Sequence, residues 1–507
     1  MKIKSGWLVA VLGVLVGVLA FETIEAYRAR KSLMTVQYKD WRKLNLILQQ
    51  VDLNYVDEVD KQKVTDAAVQ GALSALDPHS VYMPPVERTE SEESLDGGFD
   101  GIGIQFNVPN DTAIVLEAIP GGPSEKIGIR AGDRIIKVDD KVIAGVKFPQ
   151  DSMVRRMKGP AGTKVLVTIM RDGELVPFNI TRGKIPTHSV DAAFMLSDTL
   201  GYIRLSKFAR TTYSEVRDAS GKLLGQGMKH LVMDLRDNSG GYFDQAIHIS
   251  NMFLPKDSLI VYMEGRARKR EDFRADGHGK LLKVGLTVLI SENTASSSEI
   301  FAGAMQDNGR GRIVGRRSFG KGLVQEPINL SDGSGVRLTV ARFYTPSGRC
   351  IQKPYTDDYN YEIYKRYGTG EMTAADSMDA AKGGIIPDTF VPVDTTKASP
   401  FYIACNRKAT PMRFASAYFD THREELGSIG EYGALLRYLD GADLEKKFLA
   451  FALEHDGLKP ASESDFTDMR DYLMTSVRAL IGRYSRLGDN AFYHLYLSID
   501  PAMKFIP

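Results

Sequence analysis

Two cysteines, Cys350 and Cys405, are all that the 507-residue chain contains. They have no metal-ligand spacing and cannot build a disulfide framework, so stability has to come from ordinary cores. The chain also lacks a surplus of either charge: 65 basic against 64 acidic side chains leave +1. That balance gives no support to a nucleic-acid partner, whose phosphates call for a basic excess. Missing too are a Gly-x-Ser-x-Gly elbow, a His-Glu-x-x-His zinc helix, internal repeats and low-complexity tracts.

An apolar stretch long enough to span a bilayer with ease is absent as well. The uncharged run from Ser5 to Phe21, flanked by Lys2, Lys4 and Glu22, falls short of the ~20 residues of a comfortable span. A basic start followed by an apolar run is still the pattern of export, with the basic end left in the cytoplasm. The expectation is an exported chain on the periplasmic side, attached to the inner membrane by residues 5–21. A cleaved signal peptide is the alternative.

What is present changes character along the chain. Residues 34–76 are rich in helix formers, with Leu44, Ile47, Leu48 and Val51 at three- and four-residue steps. Pro78 and Pro84 in "LDPHSVYMPP" break that pattern, and the acidic "ERTESEESLDGG" reads as a linker. From Gly97 to Lys184 short β-like runs punctuated by glycine form a unit of about 90 residues. From Gly201 buried strands and helices alternate ("GYIRLSKF", "HLVMDLRD", "LTVLISE", "GRIVG"), which argues for an α/β layered domain with a largely parallel sheet. The charged "ARKREDFRADGHGK" reads as an exposed loop, and the chain beyond Pro400 as helical without recognisable chemistry.

Hydroxyls and one amine are concentrated in "ISENTASSSEIFAGAMQDNGRGRIVGRRSFGKGLVQ", residues 290–325. Ser296 with Glu299 fits Ser-x-x-Glu, a capping box that satisfies free backbone N–H groups at a helix start. That reading leaves Lys321 unexplained. Gly315 to Lys321, "GRRSFGK", has the skeleton of a phosphate-binding loop. Gly322, however, stands where Ser or Thr should hold magnesium, and strand-like "GLVQEPINL" follows in place of a helix.

A third reading joins the two halves. A serine hydroxyl is a poor nucleophile until a base takes its proton. Lysine can be that base only if its pKa falls from ~10.4 to ~7–8. Desolvation and nearby positive charge drive such a fall. Around Lys321 stand Arg316, Arg317, Phe319 and glycines, with no acid before Glu326. The N–H of Ser297, next after Ser296, is placed to hold an oxyanion. Eight histidines occur, and the nearest one before Ser296 is His278; triads assemble from distant residues, so that separation decides little.

"NTASSSEIFAGAMQDNGR" and "VGRRSFGKGLVQ" resemble the core of the C-terminal processing peptidases, tail-specific serine proteases with a Ser-Lys dyad. The family pattern Ser-x-Ser-x-Ser-Glu falls here on Thr294, Ser296 and Ser298, which implies Ser296 as nucleophile. The family's base follows 25 residues later, at Lys321, and the glutamine that orients it corresponds to Gln325. "DLRDNSGG" is similar to the glycine turn that gives the second oxyanion N–H, from Gly240 or Gly241. "GGFDGIGIQF" with "AIPGGPSEKIGIRAGDRIIKVDD" resembles the inserted PDZ domain, and "LDPHSVYMPP" the usual entry segment.

In the PDZ unit Gly101, Ile102, Gly103 and Ile104 offer backbone N–H groups for a chain-end carboxylate beside an open strand edge, where an extended peptide can add itself. The resemblance thus implies an α/β multidomain serine endopeptidase acting on proteins with free apolar C-termini, without metal or other cofactor. The expected division is a signal or anchor (1–26), a helical segment and linker (27–96), the PDZ domain (97–185), the peptidase core (186–399) and a helical extension (400–507). A catalytically silent PDZ adaptor is the rival reading.

Overall fold

The computed structural model describes residues 39–507 except 109–110, 120, 357–358, 375–378 and 394–397, and it separates into two units, residues 1–75 and 76–507. In the first, helices Lys39–Asn54 and Lys61–Ser74 are joined by a short turn, and Asp60 caps the second by accepting the N–H of Lys63 (3.0 Å). The second carries everything else.

Its centre is a six-stranded sheet in the order 190–195, 200–205, 230–234, 285–290, 312–315, 389–390. The first pair is antiparallel and the remaining neighbours run parallel. Both faces of such a sheet are apolar and need cover. Helices Thr212–Gly225, Phe243–Asn251 and Ser297–Asp307 cover one, burying Ile249, Ile300 and Phe301 against Leu231, Met233 and Val288. The end of the chain covers the other, where Leu497 and Ala502 pack on Tyr202, Val232, Leu289 and Val314.

The expectation of a largely parallel sheet needs correction, because the sheets of the chain are mostly antiparallel. Strands 81–83, 335–344, 259–265 and 268–274 form a second sheet in that order, with 323–329 also on 335–344, all antiparallel. The PDZ-like strands are antiparallel as well: 104–107, 113–118, 134–138, 164–171 and 174–181, with 141–142 beside 134–138. The cause is connection length. Turns of a few residues, as between 265 and 268 or 329 and 335, can return a strand only antiparallel, whereas parallel neighbours need a crossover.

Two local readings change for related reasons. The supposed loop "ARKREDFRADGHGK" contains strand Arg268–Arg274, an edge strand whose charges face solvent. Most of the supposed linker "ERTESEESLDGG" belongs to helix Pro85–Leu95, which proline starts at its first position, two residues before the linker.

The expected localisation, a chain anchored on the periplasmic side of the inner membrane by residues 5–21, also needs correction in its anchor. Among the described residues no helix is long and apolar enough to cross a membrane. The segment 5–21 on which that expectation rested lies outside the described residues.

The segment beyond Pro400 is a helical bundle with its own core, including Phe414, Leu435, Phe448, Leu473 and Val477. It touches two partners. Toward the central sheet, Arg236 pairs with Asp500 (2.5 Å), Asn490 accepts the N–H of Ala193 (2.9 Å), and His494 stacks on Phe194. Toward the PDZ-like unit, Arg134 pairs with Asp420 (2.8 Å) and Ala131 packs on the bundle core.

Candidate active site

The parallel strand Gly285–Ile290 ends at Ser291, and the chain turns through Thr294 into the buried helix Ser297–Asp307. Thr294 fixes the turn: its hydroxyl donates to Leu235 O (2.8 Å) and accepts the N–H of Ser291 (2.9 Å). Ser296 caps the helix with φ 56° and ψ −117°, a backbone state costly to any residue with a Cβ. Such strain persists where the surroundings over-determine it. Here Glu299 does so, its carboxylate accepting the Ser296 N–H at 2.8 Å.

The three consecutive serines divide their work. Ser297 donates through its hydroxyl to Gly241 O (2.9 Å), and Ser298 to Asn238 O (3.0 Å). Both bonds stitch the helix start to the glycine turn after strand His230–Asp234. Ser296 is half-buried and faces a cavity of about 770 Å³ that Lys321, Gln325, Gly240 and Gly241 also line. The residues that the sequence singled out for catalysis therefore share one cavity.

Gly240 lies against the serine. At φ +97°, a Cβ there would sit 2.8 Å from Ser296 Cβ and 2.9 Å from Ser297 N, closer than atoms tolerate. The Gly240 N–H is already committed to the Asn238 side chain (2.9 Å). The carbonyl of Gly240 accepts from Phe208 and that of Gly241 from Ser297. Among the described hydrogen bonds, the N–H groups of Gly241 and Ser297 donate to no protein acceptor.

Lys321 sits just before strand Leu323–Asn329, in a loop held from several sides. Glu299, fully buried, accepts the N–H groups of Gly320 and Lys321 (each 2.8 Å) and the Ser318 hydroxyl. Burial raises the pKa of this carboxyl against those hydrogen bonds. Burial lowers the Lys321 pKa, and the positive charge of Arg337 lowers it further, against the opposing pull of Glu299 and Asp77. Arg337 lines the same cavity and donates to Ser91 Oγ (2.8 Å).

The amide of Gln325 donates to His79 O (2.6 Å), which fixes the side chain and leaves its Oε1 as the acceptor on offer. His79 itself was passed over in the sequence. It is set by an Asp77 turn that receives the N–H groups of His79 and Ser80 (each 2.8 Å). Burial and the charge of Lys321 push its pKa down to about 4, so the imidazole is neutral near pH 7. The Asp-Pro-His-Ser run was the available signal; its partners lie more than two hundred residues away.

In the PDZ-like unit, Gly101, Ile102, Gly103 and Ile104 line a second cavity, of about 550 Å³, with Phe106, Val154 and Met157. The carbonyls of Ile102 and Gly103 accept from Ser124 and Ile119 (both 3.0 Å). In a trans peptide the N–H of the same unit points the other way. Gly103 has φ +76°, and a Cβ there would meet Ile185 at 2.8 Å.

Residues 199–361 match Peptidase family S41, residues 101–181 a PDZ domain, and residues 19–85 the Activating protease CtpB N-terminal domain. A carboxy-terminal-processing protease of Bartonella bacilliformis is 38% identical over 324 residues, 62% of this chain and 73% of that protein. The carboxy-terminal processing protease CtpA of Bacillus subtilis is 34% identical over 313 residues, 61% of this chain and 66% of its own length. Among solved structures, a photosystem II D1 C-terminal processing protease aligns over 68% of this chain and 86% of its own, with 29% identity and a TM-score of 0.39. The chain belongs to peptidase family S41, among its PDZ-containing carboxy-terminal-processing serine proteases.

Proposed function

We propose that this serine endopeptidase holds the C-terminal tails of other proteins in its PDZ groove and cuts them with a Ser296–Lys321 dyad. The observation that carries this reading is the single cavity shared by Ser296, Lys321, Gln325 and the glycine turn. In its neutral form Lys321 takes the proton of Ser296 Oγ, which attacks the scissile carbonyl carbon. The oxyanion that forms is received by the N–H groups of Ser297 and Gly241, since that of Gly240 is engaged. The ammonium of Lys321 then returns its proton to the departing amine, leaving an acyl-enzyme. Water, deprotonated by Lys321 in turn, hydrolyses that ester. Gln325 Oε1 orients the amine between steps.

In the same reading, residues 97–185 are the tail-binding module, 186–399 the catalytic core and 400–507 an extension that covers the core sheet. The N–H groups of the Gly101–Ile104 loop take the terminal carboxylate, and the apolar floor takes the last side chain.

The test uses one peptide series with free, amidated and Asp-Asp C-termini. Cleavage should be fastest for the free apolar end and absent with Ser296→Ala and with Lys321→Ala. Equal rates for all three ends would remove the PDZ selection. A parent protein that binds the tails but cuts none of them would favour the adaptor reading.

A further inference from the structure

The loop that delivers Lys321 is bonded on nearly every backbone group. Its amides go to Ile385 O (Ser318), Thr294 O (Phe319), Glu299 (Gly320 and Lys321) and Gln352 Oε1 (Gly322). The carbonyl of Gly320 accepts from Lys353 N and that of Gly322 from Phe343 N. Three further carbonyls stand in a row, those of Arg317, Ser318 and Phe319. One side chain takes all three: Arg366 donates to them at 2.9, 3.0 and 3.2 Å.

Arg366 comes from the helix Glu362–Gly368, beyond residue 361 where the peptidase match ends. It is 2% exposed, among the largest fully buried side chains together with Arg317. Burying two guanidinium groups is costly unless each is paired and fully hydrogen-bonded. Glu362 pairs with both: it accepts from Arg366 Nε (2.9 Å) and Nη2 (3.0 Å) and from Arg317 Nη2 (2.9 Å). Arg317 is completed by Glu371 and by the carbonyls of Lys382 and Gly383. Lys353 adds a third buried cation, its Nζ 4.0 Å from the ring centroids of Phe319 and Tyr359.

We propose that Arg366, held by Glu362, is a positioning residue for the hydrolytic reaction: its guanidinium fixes the backbone of residues 317–319 and so sets where the Lys321 amine stands relative to Ser296. The proposal rests on the dyad reading and extends it. The carboxylate of Glu299 pins the amide side of this loop and Arg366 the carbonyl side, so the base cannot swing without breaking charge-assisted bonds. Bonds of this kind order the base before substrate arrives, and misplacement by about 1 Å can cost ~10²-fold in rate. The planar fork suits arginine, since one lysine ammonium cannot span three carbonyls in a row.

The test compares Arg366→Met and Arg366→Lys with the parent, each normalised by titration with a fluorophosphonate probe. For Arg366→Met, kcat per titrated site should fall at least about tenfold, with KM and the tail-peptide Kd within about twofold of the parent. Its ascending pH limb should move upward as Lys321 leaves its dry position, and Arg366→Lys should lie between the two. A purely structural arginine would lower the melting temperature and the number of titratable sites, yet leave kcat per site and the limb in place; that result overturns the proposal. Should Arg366→Met fail to fold, Arg366→Lys decides alone, with a loss of at least about threefold expected and parental kinetics overturning the idea. Lys321→Ala is run beside them. If it still cleaves, the dyad reading falls, an outcome that Arg366 variants cannot mimic.

Discussion

The backbone N–H of Ser296 and that of Lys321 donate to the same carboxylate oxygen of Glu299, each at 2.8 Å. One buried side chain thus sets the start of the helix that carries the proposed nucleophile and the loop that carries the proposed base. Shortening it to Asp would uncouple the two, and Gln would replace one acceptor oxygen by a donor. The carboxylate of a capping box here acts well beyond its own helix.

The serine run predicts a split between catalysis and stability. Ser296→Ala should abolish cleavage with little change in melting temperature. Ser298→Ala should keep substantial activity and lose about 1 kcal/mol through its buried bond to Asn238 O. Denaturant titration and initial rates on both proteins measure the split. Activity surviving in Ser296→Ala and lost in Ser298→Ala reverses the assignment.

The pH profile should be governed by lysine. Only the neutral amine accepts a proton, so kcat/KM should climb as pH rises through the lowered pKa of Lys321. Arg337→Gln removes a charge that helps to lower it and should move the limb to higher pH, with Arg337→Lys restoring most of the shift. Lys321→Arg should be inactive throughout, because guanidinium keeps its proton. His79→Gln should leave the limb where it is, as His79 is neutral above a pKa of about 4. A limb that vanishes with His79 and ignores Arg337 would point to histidine as the base.

Gly240→Ala tests the close approach at the serine. A methyl group there meets Ser296 Cβ and Ala295 O, both at 2.8 Å, and the backbone disfavours φ +97° for alanine. Cleavage should fall by about a hundredfold or more, while the PDZ-like unit keeps its affinity for tail peptides, as read by fluorescence anisotropy. Retained kinetics would mean that the turn moves freely.

Acid should loosen the molecule in a defined window. His79 and His494 both have pKa values pushed down to about 4, in the first by burial and the charge of Lys321, in the second by burial alone. A chain that unfolds lets each return to ~6.5, so the unfolded state binds more protons between those values. Stability should therefore be full above ~6.5 and decline as pH falls toward 4. His494, stacked between Phe194 and Tyr432 (ring centroids 4.6 and 3.7 Å), is replaceable by Phe, which should flatten part of that slope in melting curves. An unchanged slope would assign the acid sensitivity elsewhere.

How far the sequence revealed this site depends on chain separation. Ser296, Lys321 and Gln325 lie within thirty residues, and their types and spacing could be read directly. Gly240 and Gly241 were visible as a turn, but only the Asn238 bond distinguishes their N–H groups. His79 reaches the site, and Arg366 the loop of Lys321, from distant segments, while Arg337 comes from the next strand of the hairpin; no local pattern marks a buried guanidinium bonded to three carbonyls. For the fold, the strands at 200–205, 230–234, 285–290 and 312–315 followed from apolar runs between helices. Strand direction in 259–274 and 323–344 did not, because it is decided by turn length and by an edge strand too charged to look like one. The acidic segment 85–95 is a helix that its composition disguised.

The helical extension also changes the mechanics of the tail-binding unit. That unit leaves and rejoins the core through one neck, the paired strands 98–101 and 183–186, beside which Lys158 pairs with Glu93 of helix Pro85–Leu95 (3.0 Å). A body hung on a single neck behaves as a pendulum, free to sweep past the cutting site. The Arg134–Asp420 pair and Ala131 give it a second bearing on the far side, while Asp500 and Asn490 rivet the same extension to the catalytic sheet. Two supports on one body fix an axis, and what was a pendulum becomes a hinged span.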